Sequence, residues 1–472
     1  MDVLFVHGYS ETSLGAYFDL PSRLKAALPS VDRIVLAAFN SLDDTITIDD
    51  LAEAMETRMR ALENGGAFTM QGAAIVCHST GALVARRWLL NRLATGKVIP
   101  SHLVSMAGAN HGSTLAQMGK SVLGYLQKML FKHLLTVGAN VLTDLDYGSD
   151  FLLRLNREWL LRWNDGSLDG LFAFSMGGDN VGSDPALQVF WQTHEPGSDN
   201  TVRICGANLN YTMIDVTNGF AGPTITAQRP NRPVPHRVLS GYSHFGPESG
   251  ILGWVQGTPP GDVVLAALTD ALGVGSAAAY ADAQSRWAAD LASWIEEQRQ
   301  DRAEGAVSKV NSTVVFTISD ESARSIEDCM IAFLDQQQLG TAGNAVNPAN
   351  VSNLVAATNN VSSAILPHSP IQNEAQLGSY SFYIDYDEYL TTSPHWIHIE
   401  ASLPTQLLGV TPLIFTQPAT LPHAIEPNEI TYVALTMQRD ADDAYAVYGF
   451  GPQLNLSGTT WMPFPSPGRL SP

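Results

Sequence analysis

Residues 73–90 read AAIVCHSTGALVARRWLL, and this stretch decides the fold. It opens on an apolar, partly β-branched run with the character of a buried strand. From Gly81 to Ala94 the apolar spacing becomes helical, and Ser79 stands at the corner between the two. A strand, a tight turn and a helix in that order expose a serine hydroxyl at the carboxyl edge of a sheet. The helix N-terminus beside it favours the negative charge that develops on a substrate oxygen. The triplet Ser-x-Gly also occurs at Ser13, Ser175 and Ser466. Ser175, in AFSMGGD, follows a strand but leads into a glycine-rich loop, so Ser79 is the expected nucleophile. Cys77 stands where such corners usually carry their first glycine. As a nucleophile in its own right it would lie inside the strand rather than at the exposed corner.

Outward from that corner, strand and helix patterns alternate. VLFVHG (3–8), RIVLAAF (33–39), GAAIVC (72–77), HLVSMAG (102–108), LFAFSMG (171–177), TVRICGA (201–207) and HRVLSG (236–241) read as strands. Residues 18–28, 48–63 and 81–94 read as helices, with Asp49 and Asp50 at the positive end of the second. The alternation predicts an α/β architecture, a mostly parallel sheet of six or more strands with helices on both faces. Residues 111–170 interrupt the rhythm with a dense apolar insertion, which fits either packed core helices or a lid over an apolar site. A long helix over 277–302 ends a predicted catalytic domain, residues 1–304. Period-2 alternation at 312–321, 380–386, 395–402, 430–438 and 444–451 then predicts an all-β, immunoglobulin-like sandwich over 305–472. Its expected role is either to bind a polymer, lipid or partner, or to cap the first domain.

The bulk properties exclude several classes. The 472-residue chain carries a formal charge of −20, which disfavours nucleic acid as a partner while permitting transient contact with a lipid surface through a local apolar patch. Its three cysteines, Cys77, Cys205 and Cys329, show neither zinc-ligand spacing nor a disulfide framework. GDNVGSD (178–184) lacks the spaced ligand set of a calcium loop. No metal or cofactor is expected. The apolar runs are too short for a membrane span. No leader pattern precedes VLFVHG, so a cytoplasmic location is expected by default, with a trimmed leader or another secretion route left open. Oligomeric state is not legible.

Together these segments resemble the α/β-hydrolases of the lipase and esterase type. FVHGYS (5–10) resembles the loop that begins the family's oxyanion hole, and GANHGSTLA (108–116) resembles the HGS segment of bacterial lipases. GSDNTVRICGANL (197–209) resembles the loop that delivers the acid, and GYSHFG (241–246) the loop that delivers the histidine. The resemblance implies a minimal sheet and a triad of Ser79, Asp199 and His244, with Asp179 and Asp184 as alternative acids. His236 precedes its strand and is expected at the opposite edge. The oxyanion donors are expected to be the backbone amides of Tyr9 and Thr80. His7, His78 and His111 are expected to be structural. The implied reaction is hydrolysis of an acyl or lipid ester through a covalent acyl-enzyme, with phospholipid, polyester or lactone hydrolysis and acyl transfer open to the same machinery. A degenerate hydrolase fold that only binds is the reading from another class. It requires His244 to point away from Ser79.

Overall fold

Two hydrophobic layers sandwich a parallel sheet whose carboxyl edge carries the described loops of the predicted site. The computed structural model describes residues 1–9, 14–116, 137–181, 194–219, 222–246, 249–252, 260–327, 329–335, 362–391, 395–401, 413–416 and 425–437. Strands β1 (Asp2–Val6), β2 (Arg33–Ala37), β3 (Ala74–His78), β4 (His102–Met106), β5 (Phe172–Gly178) and β8 (His236–Leu239) form a six-stranded sheet in the order β2-β1-β3-β4-β5-β8. Every pairing in it is parallel.

The near-continuous apolar strands follow from burial on both faces. Leu4, Val6, Ile75, Cys77 and Leu103 point into a layer shared with α2 (Ile48–Asn64), α3 (Gly81–Ala94) and the helix Asp150–Asn164. Val3, Phe5, Ala74, Val76, Val104 and Met106 point the other way, against α1 (Leu20–Ala27) and the helices Pro260–Leu272 and Ala277–Ala303. Helix α2 begins with a capping box in which Thr47 and Asp50 satisfy each other's backbone amides.

Within the insertion, the helix Asp150–Asn164 buries Phe151, Leu155, Trp159 and Trp163, so this part of 111–170 is core packing. Residues 117–136, on which the lid expectation rests, lie outside the described residues. TVRICGA is not a strand. Thr201 and Val202 turn back onto Asp199, and Ile204–Ala207 is a single helical turn. Local β-branched content suggested a strand there, and the contacts of the acid loop overrode it.

The C-terminal strands form the expected β structure, with a topology of their own. β6 (Tyr211–Gly219), β7 (Gly222–Gln228), β9 (Asn311–Asp320), β11 (Ile371–Gln372), β12 (Ser379–Asp385) and β15 (Ile430–Met437) make a second six-stranded sheet, ordered β11-β12-β9-β15-β6-β7. β15 runs parallel to both β9 and β6, so this sheet is mixed and draws a hairpin from inside residues 1–304. A third, antiparallel sheet joins β10 (Cys329–Asp335), β13 (His395–Ala401) and β14 (Leu413–Thr416). The predicted strand 444–451 lies outside the described residues. Among the described residues no helix is long and apolar enough to cross a membrane.

Candidate active site

Four loops leave the carboxyl ends of β1, β3, β5 and β8 and meet, which is where open parallel sheets place their sites. The corner after β3 holds Ser79 at φ 55°, a left-handed conformation unusual for a residue with a side chain. Close packing enforces it. A Cβ on Gly81 would lie 2.3 Å from the His7 carbonyl oxygen, so α3 starts hard against the loop after β1. The Ser79 amide donates to the Met106 carbonyl at 3.3 Å, and the Ser79 carbonyl accepts from Ala82 and Ala109, each at 3.1 Å. Cys77 does not crowd this turn, because its thiol points into the α2–α3 layer, 3.5 Å from the Val104 carbonyl.

His244 Nε2 lies 2.9 Å from Ser79 Oγ, and His244 Nδ1 lies 2.9 Å from Asp199 Oδ2. The second carboxylate oxygen of Asp199 accepts the Thr201 and Val202 amides at 3.1 and 2.7 Å, which fixes its rotation. The His244 amide donates to the Asp199 carbonyl at 2.8 Å, so the two loops are also joined through their backbones. All three side chains are buried. Beside them, a Cβ on Gly8 would lie 2.5 Å from Ser79 Cβ, which sets the Gly8–Tyr9 loop directly against the serine. The Tyr9 hydroxyl anchors that loop by donating to the Val137 carbonyl.

No family model and no curated protein matches the chain. Among solved structures, phospholipase PlaB from Legionella pneumophila superposes with a TM-score of 0.78 at 25% identity, covering 99% of this chain and 98% of that one. The fold is that of an α/β-hydrolase of the lipase and esterase type. A second PlaB structure, in complex with thio-NAD, matches with a TM-score of 0.78 at 24% identity over 100% of both chains. A Bacillus licheniformis lipase, BlEst2 in mature form, overlaps 44% of this chain and 78% of its own at TM-score 0.34 and 17% identity.

Among the described residues, the rival candidates on this fold are engaged elsewhere. Asp179 accepts the Gly241 amide at 2.6 Å and holds Lys309 Nζ at 3.1 Å, so it braces the loop that carries His244. Asp184 lies outside the described residues. Ser175 is fully buried and hydrogen-bonds His236 Nδ1 at 2.9 Å, one strand over on the sheet register. Burial pushes the Cys77 thiol up to about 12, which keeps it protonated and unreactive.

His7, His78 and His111 brace the site as neutral rings. His7 Nδ1 donates to the Gly8 carbonyl at 2.7 Å while its Nε2 accepts the Phe39 amide at 3.0 Å, fixing both tautomer and loop. His78 Nε2 donates to the His244 carbonyl at 3.1 Å, and its ring lies 4.7 Å from that of His244. Burial holds His78 well below its ordinary range, so it places no positive charge beside the His244 ring. His111 donates to the Asn208 carbonyl at 2.9 Å and accepts the Tyr432 hydroxyl at 3.0 Å, which ties the HGS segment to β15.

These neutral rings give the fold a defined acid limit. Burial lowers the pKa of His7, His78, His102, His111 and His236, the last to about 3. An unfolded histidine titrates near 6.5, so this stability is present above pH 6.5 and drains as the pH falls below it, down to about 3 for His236. For His236, whose folded pKa is lowered to about 3, the loss should approach about 1.4 kcal/mol per pH unit inside that window, and the other four add to it in the same direction. Thermal unfolding measured from pH 7.5 to 4.5 should show a steep fall in midpoint, shallower in His236→Asn. A flat profile would mean that these rings are charged in the native state.

Proposed function

We propose that this protein is a serine hydrolase that cleaves the carboxylic ester bonds of lipids. The observation that carries the reading is the unbroken hydrogen-bonded chain from Ser79 through His244 to Asp199, at 2.9 and 2.9 Å, on a left-handed corner. That geometry speaks against a fold that merely binds, which would turn His244 away from the serine. His244 takes the Ser79 proton as Ser79 Oγ attacks the ester carbonyl. The oxygen of the tetrahedral adduct accepts from the Tyr9 and Thr80 amides. The adduct collapses, and the alcohol leaves with the proton from His244 Nε2. Water then repeats the cycle on the acyl-enzyme, with Asp199 orienting the imidazolium throughout.

The likeness to phospholipase PlaB spans both chains almost completely and supports a phospholipid as acyl donor. On this reading the products are a free fatty acid and a lysophospholipid, because an acyl-enzyme forms only from the carboxylic ester. Phosphatidylcholine vesicles and p-nitrophenyl esters from acetyl to palmitoyl provide the test. Fatty acid release from the vesicles is expected, together with a preference among the soluble esters for the longer chains. Release of phosphocholine instead would contradict the acyl mechanism, and inertness toward every ester would bring the binding-protein reading forward.

A further inference from the structure

The acid-bearing loop is closed and seated by groups that a three-residue mechanism leaves out. Residues 195–203 form a ring. Its ends are joined by Arg203, whose Nε and Nη2 reach the two Glu195 carboxylate oxygens at 2.8 Å each. The Ile204 amide donates to the Gly197 carbonyl at 2.8 Å, and Asn200 turns the chain at φ 76°. Asp199 sits inside this ring.

The outside of the ring rests on the second sheet. Tyr383 of β12 donates its hydroxyl to the Pro196 carbonyl at 2.6 Å, and Asn311 of β9 donates to the same oxygen at 2.8 Å. Arg203 Nη1 reaches Thr313 of β9 at 3.3 Å. The guanidinium also lies 4.1 Å from the Tyr383 ring centroid and 4.9 Å from that of Tyr147. A Cβ on Gly197 would meet the Lys309 carbonyl at 2.6 Å, so the ring has no slack toward the sheet. Arg203 and Glu195 are both buried.

A buried ion pair is a weak stabiliser compared with apolar packing of the same volume, but a bidentate fork is strongly directional. That combination suits a part whose task is geometry. We infer that Arg203, Glu195 and Tyr383 are positioning residues for Asp199, making the second sheet part of the catalytic machinery. The inference rests on the proposed role of Asp199 as the acid that orients His244. Because the Asp199 carbonyl also receives the His244 amide, the same ring sets the base.

The test uses the full chain and a soluble p-nitrophenyl ester, with kcat and kcat/KM followed against pH. Tyr383→Phe keeps the ring under Arg203 and leaves Asn311 on the Pro196 carbonyl, so it should fold. It should lose about tenfold in kcat through misplacement of the acid. The acid limb of kcat/KM should move to lower pH, because an imidazolium with a poorly placed carboxylate loses its proton more readily. Arg203→Met should lose more and Arg203→Lys should recover part of it. If Arg203→Met does not fold, Tyr383→Phe decides. Lower thermal midpoints with kcat and the acid limb unchanged would overturn the inference. Asp199→Asn separates the two levels. If it leaves activity intact, the proposed triad fails. If it abolishes activity while Tyr383→Phe behaves as wild type, only the positioning role fails.

Discussion

Ser79→Ala should lower kcat/KM for ester hydrolysis by about 10⁵- to 10⁶-fold, the loss expected when a serine nucleophile is removed from a working triad. Ser175→Ala should leave catalysis unchanged, because Ser175 is fully buried and its hydroxyl serves His236 and the Leu209 amide. It should cost about 1 kcal/mol of stability for the hydrogen bond lost. The corner itself supplies a second readout. Ser79 holds φ 55°, and alanine would be as strained there as serine. Ser79→Gly should therefore be equally inactive but more stable than Ser79→Ala by about 1 kcal/mol. Esterase assays and thermal melts of the three variants check both points. If Ser79→Ala kept more than about one part in a hundred of the activity, the nucleophile would lie elsewhere.

What the sequence reveals about this site depends on how local each signal is. Helix α3 begins at Gly81 and ends at Ala94 as the periodicity predicts, because one apolar spacing and one strand-to-helix corner define it. Ser79 and His244 are legible for the same reason, since each follows a recognisable strand. The candidate acid is different. Asp179 and Asp199 both follow β5, and only their partners separate them, Lys309 for one and His244 for the other. The membership of the hairpin β6–β7 in the second sheet escapes a sequence reading because β6 is aligned by β15, a parallel partner more than two hundred residues later in the chain. Arg203 carries no signal at all. A lone arginine in TVRICG reads as solvent-facing, and its burial follows from Glu195, Tyr147 and Tyr383, which no local pattern links.

Gly8→Ala should lower kcat by about 10²- to 10³-fold with little change in KM, the cost of displacing one oxyanion donor. The added methyl would lie 2.5 Å from Ser79 Cβ, 3.0 Å from Ser79 Oγ and 3.4 Å from the His78 carbonyl. Ser79 has nowhere to retreat, because its amide and carbonyl are held by Met106, Ala82 and Ala109. The loop after β1 must therefore move instead, against the brace that His7 makes to Gly8 and Phe39 and the anchor from Tyr9 to Val137. Moving it carries the Tyr9 amide away from the adduct oxygen while Ser79, His244 and Asp199 stay in register. A serine-directed fluorophosphonate should then still label Ser79, though slowly, since its adduct needs the same donors. Gly81→Ala makes the contrast. Its methyl would meet the His7 and Val6 carbonyl oxygens at 2.3 and 2.6 Å, backbone on both counts. Neither β1 nor α3 can yield there without unpacking the sheet, so Gly81→Ala should lose the fold rather than the rate. Full activity in a folded Gly8→Ala protein would mean that the oxyanion is held by amides other than those of Tyr9 and Thr80.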